Sequence, residues 1–540
     1  MNNDDSSARF ESLEKHVSDL ESRIARVEKQ LSIEGDGKSS DSNQPGQIET
    51  AESGDSLELR IGLYLFAKAG VLAFLIGMFF FLVQPFHDLP DLFSPVAGCV
   101  IAGIVIILSR RLRRNVPFVS GYLLGAGLCL LYLSTMRLHF FGGNAVENAV
   151  VETCLLFAIA VASLLVSVRK RSPYLTGLSM TMGYIASLLV NSEEAFLILI
   201  SVLVIGSAFI AVKYHWQNVS TFCTGLTLIS VIEWLLNNPI LSHNVQIRSA
   251  SLAAPAFVIL WLVIFSGENL FRAGKPLESI ALIMGSLLNG AGMFILILFI
   301  SVTELQPEIF LVNVAASLVF LLLAVGFWIS EKSRYQTFFY AMLGYAALSI
   351  AIVARFGLSN SIIWLCWQSI LVVSTAVWFR SKFIVVANFG IYVIIFISYL
   401  AFTGREGITG ISFGLAALLS ARILNWQKHR LDLKTELMRN AYLTAAFVMI
   451  PYALYSILPG KYVSLSWVGV ALVYYVLSRV LENLKYRWLS LLTFILTAFY
   501  LLFVGIGALE SSFRIVSFLV LGSAFLIISV LYAKSRIRSH

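Results

Sequence analysis

The chain has 540 residues, of which 58% are hydrophobic and only 13% are charged, whereas about 25% of the residues in a typical soluble protein are charged. Apolar runs of 16 to 24 residues recur from Ile61 onward, and a helix needs about 20 apolar residues to cross a bilayer. This composition excludes an ordinary soluble protein and predicts an all-α, polytopic integral membrane protein.

Charge is unevenly distributed along the sequence. Residues 1–60 hold seven Lys or Arg and 14 Asp or Glu, a net charge of −7, while the whole chain carries +8, so the remainder carries +15. The basic residues of that remainder form short clusters between apolar runs, as the positive-inside rule describes. We therefore expect the partner of this region to be the lipid bilayer and not nucleic acid.

The sequence contains no recognisable pattern for a cofactor or a metal. The five cysteines lie in apolar segments and form no C-x-x-C pair, so neither a disulfide framework nor a zinc site is indicated. The P-loop and the H-E-x-x-H zinc motif are absent. We expect no catalytic residue, cofactor or metal, and an intramembrane enzyme acting on a lipid-linked substrate remains an alternative.

Residues 1–34 carry a heptad pattern, with apolar residues spaced alternately by three and four. Basic residues at g positions and glutamates at e positions give opposite charges across a parallel pair. We expect a cytoplasmic coiled-coil helix that forms a homo-oligomer, and an amphipathic helix on the protein's own cytoplasmic face is the alternative. The seam consists of Phe10, Leu13, Val17, Leu20, Ile24, Val27 and Leu31.

Two further regions follow the coiled coil. Residues 35–57 are rich in Gly, Ser and Asp without an apolar repeat, which predicts a flexible polar linker. Residues 58–540 form the predicted multi-pass transmembrane domain. We expect about 18 spans there, because each apolar run is about as long as one membrane-spanning helix. The predicted spans are 61–83, 92–108, 116–136, 149–168, 173–191, 195–212, 219–236, 250–266, 278–301, 309–329, 335–353, 361–379, 383–402, 407–424, 440–458, 464–481, 488–506 and 513–533.

Loop charge predicts the orientation of these spans. The even-numbered loops and the C-terminal tail hold 25 Lys and Arg, whereas the odd-numbered loops hold six. Because short basic loops stay in the cytoplasm, both termini are expected there. The six basic residues of the odd-numbered loops are Arg137, Arg248, Arg355, Arg405, Lys461 and Arg514.

The later spans show internal repetition. Segments that each begin with a basic residue recur, since Arg334 lies 46 residues before Arg380 and Arg439 lies 48 residues before Arg487. Repetition at this period indicates arrayed helical units. We expect helical hairpins that leave the cytoplasm, turn on the outer side and return, although any bundle with an even number of spans resembles hairpins.

The segment IGLYLFAKAGVLAFLIGMFFFLVQ at 61–84, with SPVAGCVIAGIVIILSRRLRR and GYLLGAGLCLLYLSTMRL after it, resembles a family of uncharacterised bacterial predicted multi-pass membrane proteins. FRIVSFLVLGSAFLIISVLYAKSR at 513–536 is similar to that family's closing Arg-x-x-Ser-Phe pattern. Proteins of the family also place a coiled coil and polar linker before the spans. The resemblance implies a bacterial cytoplasmic (inner) membrane location, and it implies no activity or catalytic residues.

Ionisable residues inside spans are costly and often functional, so five such residues are candidate site residues. Lys68 lies about 10 Å into the first span, although its side chain could extend back to the interface. Arg137 and Glu152 fall at the outer ends of consecutive spans, where a structural ion pair and a proton-coupling pair are both open. Glu233 and Arg355 complete the set, also near the outer side.

Two functions fit these features. The first is transport or flipping of an envelope lipid or glycan, which requires a polar cavity near the middle of the membrane. The second is a non-catalytic scaffold or assembly factor that oligomerises through the coiled coil or recruits an unknown protein partner, which requires no cavity.

The loop charges predict the result of a topology experiment. Reporter fusions in even-numbered loops should read as cytoplasmic and those in odd-numbered loops as external, because Lys and Arg set orientation through short loops. An external reading from the loop that contains Arg113 would contradict the whole assignment. The cytoplasmic fusion sites are Arg113, Arg171, Arg380 and Lys434, and the external sites are Asp88, Glu194, Glu308 and Glu510.

The heptad seam predicts the effect of one substitution. Leu20→Glu places a charge at a d position and should abolish crosslinking between full-length protomers, since a coiled coil gains stability only by association. Crosslinking of the purified variant in detergent is the measurement. Crosslinking that persists would show that the oligomer does not depend on the seam.

Overall fold

The computed structural model describes most of the membrane domain. The predicted coiled coil at 1–34 and the linker at 35–57 lie outside the described residues. The contacts divide the chain into two units, residues 1–74 and residues 75–540. Residues 66–74 of the first unit are helical. The structure describes residues 66–84, 90, 92–115, 117–140, 148–239, 244–271, 280–330, 333–402, 407–426, 436–505, 512–513 and 515–524.

Helices account for nearly all of these residues, and the described part of the chain contains no strand. A short 3-10 helix, Gln306–Glu308, precedes α10, and a π-helical turn, Leu501–Gly505, follows α16. The helices are α1 Phe66–Val83, α2 Phe93–Leu112, α3 Pro117–Met136, α4 Ala149–Arg169, α5 Pro173–Leu188, α6 Glu193–Tyr214, α7 Gln217–Leu235, α8 Ala253–Phe271, α9 Ile280–Thr303, α10 Ile309–Ile329, α11 Arg334–Trp378, α12 Lys382–Phe402, α13 Gly407–Trp426, α14 Glu436–Ile457, α15 Gly460–Val480 and α16 Leu484–Tyr500.

Each predicted span overlaps a helical segment of the described residues, and 14 of these segments are long and apolar enough to cross a membrane. The all-α, multi-span class is therefore confirmed, and the count of about 18 spans stays a prediction. The remaining predicted spans correspond to Ala69–Val83, Pro173–Leu188, Phe383–Ile397 and Ile515–Ala524.

Gly357 divides α11 into two spans, Arg334–Leu358 and Asn360–Trp378. Its backbone has φ 74° and ψ 166°, a combination that is essentially restricted to glycine. The break falls between the predicted spans 335–353 and 361–379. A side chain at position 357 would meet no atom within 4 Å, so the requirement for glycine comes from the backbone and not from packing.

Among contacts between separate helices, those between helices joined by basic loops are the most extensive. The most extensive contacts in residues 75–540 are α10 with α11, α13 with α14, α2 with α3, α15 with α16, and α4 with α5. All five connections are even-numbered loops. The outer-side pair that begins at Arg439, α14 with α15, packs less extensively than these pairs. Extensive contacts among the described helices occur only between helices one or two places apart in sequence.

The turns in three of the basic loops share one backbone geometry. Arg171, Arg380 and Glu482 have φ of 52°, 53° and 47°, the left-handed conformation that ends many helices. The next amide in each case donates to the carbonyl five residues earlier: the donor–acceptor distances are 3.2 Å for Ser172 to Ser167, 3.0 Å for Ser381 to Ala376 and 3.2 Å for Asn483 to Ser478. This is the Schellman pattern.

The structure also places successive basic loops at the same end of their helices. Burial and the nearby charges of Arg113 and Arg110 lower the pKa of Lys170, so the loops after α2 and α4 lie close together. At the opposite end, the amide and hydroxyl of Ser251 donate to Glu193 Oε1 at 3.0 and 2.8 Å. The basic loops after α2 and α4 thus share one end, and the non-basic segments before α6 and α8 share the other, as the positive-inside prediction requires. The side of the membrane stays a prediction.

Close packing of one hairpin gives a test of the fold. A Cβ at Gly414 would lie 2.3 Å from Ile450 Cγ1 across the α13–α14 contact, so Gly414→Ala should destabilise the protein by about 1–3 kcal/mol. Gly390→Ala in α12 is the control, since its Cβ would meet no atom within 4 Å. The measurement is the midpoint of thermal unfolding in detergent, and an equal effect of the two substitutions would contradict the packing described.

Candidate functional site

Arg137 and Glu152 lie at the same end of neighbouring helices but do not form the ion pair considered above. Glu152 is fully buried and Arg137 is 8% exposed. Among the described residues, neither carboxylate oxygen of Glu152 has a hydrogen-bond donor, and Arg137 Nε has no acceptor. Glu152 occupies the first turn of α4, whereas Arg137 follows the last residue of α3. Although both side chains are buried there, they form no hydrogen bond with each other.

The other charged candidates are dispersed. Arg355 is exposed and precedes the break at Gly357, on a helix that shares no extensive contact with α3. Glu233 is half-buried near the end of α7, where Arg248 stacks 5.4 Å from the Trp234 ring. Lys68 lies in α1, and its side chain is outside the part that the structure describes. The structure therefore places Arg137 and Glu152 at the same end of α3 and α4 and leaves Glu233 and Arg355 on helices that share no extensive contact with α3.

Polar residues line two cavities in the described part of the protein, and all but one of them, Glu268, are neutral. The larger cavity, of about 100 Å³, lies between both spans of α11, α12 and α13. Tyr345 is about 16 Å along the first span of α11, so the cavity lies near the middle of the predicted membrane. The polar residues of the larger cavity are Tyr345, Ser349, Gln368, Ser369, Asn388 and Tyr392.

Hydrogen bonds fix the two amide side chains of the larger cavity. Gln368 Nε2 donates to the Tyr345 carbonyl at 2.9 Å, and Ser349 Oγ donates to Gln368 Oε1 at 3.2 Å. Asn388 Nδ2 donates to Ser369 Oγ at 2.9 Å and to its carbonyl at 3.3 Å. Because these groups hold one another across helices, the polar wall is preformed.

The smaller cavity, of about 30 Å³, lies between α7, α8 and α9. Its walls include Glu268, which is 8% exposed. Glu268 lies outside the predicted span 250–266, but α8 continues to Phe271 and therefore includes it. Most of the described lining residues are polar and none is basic. They are Gln217, Ser220, Thr221, Thr224, Phe265, Glu268, Asn269, Leu282, Gly285, Ser286 and Asn289.

Asn289 is the most deeply placed polar residue of the smaller cavity. It is 3% exposed and lies about 14 Å along α9. Its Nδ2 donates to Ser266 Oγ at 3.0 Å and to the Leu262 carbonyl at 3.3 Å. A carbonyl can only accept, so the amide orientation is fixed, and Oδ1 has no donor within the described structure.

The charges in the sequence point to the five ionisable candidates and not to these neutral amides. Asn289, Gln368 and Asn388 each interrupt an apolar run, and a polar side chain inside a membrane span usually bonds to another helix. That signal was present in the sequence. The partners were not predictable, because they lie on helices whose packing order the sequence does not encode locally.

One further sequence match is placed by the structure. G-I-S-F-G at 410–414 has the G-x-S-x-G spacing of a hydrolase nucleophile motif, which the expectation of no catalytic residue did not take into account. That motif requires a strand, a sharp turn and a helix, whereas Ser412 lies inside α13 and is buried. The match therefore does not form a nucleophile elbow.

Comparison with known proteins gives no family. No family model matches the sequence, and neither a curated protein nor a solved structure matches it. Within the described residues, no group of three or more His, Cys, Asp or Glu side chains is placed to hold a metal ion. Function must therefore be argued from the cavities.

The missing hydrogen bond between Arg137 and Glu152 predicts the result of a double-mutant cycle. Glu152→Gln and Arg137→Gln should show a coupling free energy below about 0.5 kcal/mol, because the two groups share no hydrogen bond. Breaking a buried ion pair by one substitution costs about 3–5 kcal/mol. Thermal unfolding of both single variants and the double variant measures the coupling free energy. A value well above about 1 kcal/mol would contradict the prediction and indicate an ion pair.

Proposed function

We propose that this chain is an integral protein of the bacterial cytoplasmic membrane, with both termini in the cytoplasm, that transports or flips an envelope component. The observation that carries the proposal is the larger cavity, with its polar wall near the middle of the helices. Tyr345, Gln368 and Asn388 supply amide and hydroxyl groups there. Polar groups inside a membrane cost free energy unless they are hydrogen-bonded, and they often mark the path of a substrate.

The volume of the larger cavity fits an occluded state better than an open one. Its 100 Å³ is smaller than an apolar cavity of about 150 Å³ that can hold benzene, and drug-sized ligands occupy about 300–1,000 Å³. The cavity therefore accommodates a small polar group or part of a head group. Passage of a larger substrate requires the surrounding helices to separate. The two spans of α11 are joined by the turn at Gly357 and by the hydrogen bonds of Gln368.

The same small volume favours a second candidate, a non-catalytic scaffold. Both amide side chains of the larger cavity are already hydrogen-bonded to protein, and a scaffold needs no substrate space. In this reading the coiled coil at 1–34 gathers protomers or recruits a partner. The two functions differ in which part of the chain is indispensable.

Complementation of a deletion strain separates the two functions. Ala346 lines the larger cavity, so Ala346→Phe fills it without removing a polar group. Under the transport proposal this variant should fail to restore the lipid and metabolite profile, because the substrate loses its space. Asn313→Ala is the control, since Asn313 is buried in α10 and does not line either cavity.

Expression level and thermal unfolding of each variant are measured alongside, so that misfolding is recognised. Gln368→Leu provides a second test, because it removes a polar wall group at similar size. Full rescue by both cavity variants, with loss of rescue by Leu20→Glu, would contradict transport and support the scaffold.

A further inference from the structure

The smaller cavity has the donor chemistry of a cation site. Its described polar lining presents hydroxyl, amide and carboxyl oxygens and contains no Lys, Arg or His. Hard cations prefer such oxygen ligands. The walls come from three helices, α7, α8 and α9, so the oxygens approach the space from different directions.

One polar atom of a lining residue has no partner in the described structure. Asn289 Oδ1 is buried and has no hydrogen-bond donor within the described structure, and leaving such an acceptor unsatisfied costs about 1–3 kcal/mol. The amide cannot rotate to relieve this, because its Nδ2 is held by Ser266 and by the Leu262 carbonyl. A bound species that attracts the oxygen, a water or a cation, would remove the cost.

The neighbouring contacts orient a second amide in the same way. Ser286 lines the cavity and donates to the Leu282 carbonyl at 2.9 Å, so it accepts the hydrogen bond from Gln336 Nε2 at 2.5 Å. Gln336 Oε1 is consequently left without a donor among the described residues. Two amide oxygens near this side of α9, Asn289 Oδ1 and Gln336 Oε1, therefore have no donor among the described residues.

We propose that the smaller cavity binds a desolvated monovalent cation, with Na⁺ the best fit. A space of 30 Å³ holds one or two bodies the size of water, each of which needs about 10–15 Å³. A divalent cation usually takes several carboxylates, whereas Glu268 is the single acidic residue among the described lining. Cation binding does not depend on transport, and only its use as a coupling ion rests on the proposed function.

Thermal unfolding of the full-length protein in detergent tests the site. Na⁺ should raise the unfolding midpoint with saturation, because a ligand that binds only the folded state stabilises it by mass action. Choline chloride at equal ionic strength should have no such effect, since choline is too large for the cavity. Binding of ²²Na⁺ to the same protein, displaced by unlabelled Na⁺ and not by choline, gives a direct second measurement.

Two substitutions and their matched controls locate the effect. Thr221→Val removes a lining hydroxyl at nearly constant shape, and Asn289→Ala removes the unsatisfied oxygen. Each should raise the half-saturating Na⁺ concentration by about tenfold or more, the usual loss when a metal site loses a supporting group. Thr181→Val and Asn313→Ala are the controls, because neither residue lines the cavity.

Several outcomes would overturn the proposal. Identical unfolding curves in Na⁺ and choline, together with no displaceable ²²Na⁺, would mean that the cavity holds water only. Half-saturation that is unchanged in both cavity variants would place any Na⁺ effect elsewhere, and an equal midpoint with K⁺ would contradict the choice of Na⁺. These measurements report binding alone, so they can fail while transport is retained, and transport can fail while they succeed.

Discussion

Hydrogen-bond satisfaction inside an apolar solvent is the constraint on which this structure depends. A peptide group in the hydrocarbon core finds no water, so the backbone must pair within its own segment, and a helix does this completely. The hydroxyl side chains follow the same rule. Thr227 donates to the Cys223 carbonyl at 2.9 Å and Ser134 to Leu130 at 2.7 Å, each one turn earlier on its own helix. Apart from these local bonds, a polar group needs a partner on another helix.

This constraint explains which features could be predicted from the sequence. The helices of 75–540 follow from apolar runs whose length matches a bilayer, and the alternation of loops follows from charge, so both depend on residues close together in the chain. The pairing of helices depends on side-chain shape across interfaces. The Gly414–Ile450 contact joins α13 to α14, and nothing near Gly414 in sequence identifies Ile450 as its partner.

The candidate site was less predictable than the fold, for a related reason. A buried charge is conspicuous in an apolar sequence, so Glu152 was selected, yet its carboxylate meets no donor in the described structure. Asn289 and Asn388 are neutral and resemble ordinary helix-packing residues until their partners are known. Their bonds to Ser266 and Ser369 connect residues 23 and 19 positions apart in the sequence, which is beyond the reach of a helical period.

The turns at Arg171, Arg380 and Glu482 have a consequence for how such a chain changes in size. Each turn closes through its own backbone bonds and joins two helices that pack mainly on each other or on near neighbours. Duplication or loss of one such helix pair would leave the turns of the adjacent pairs intact and preserve the side on which every basic loop emerges. The architecture can therefore lengthen or shorten by two helices at a time, whereas a gain of one helix would invert everything that follows it.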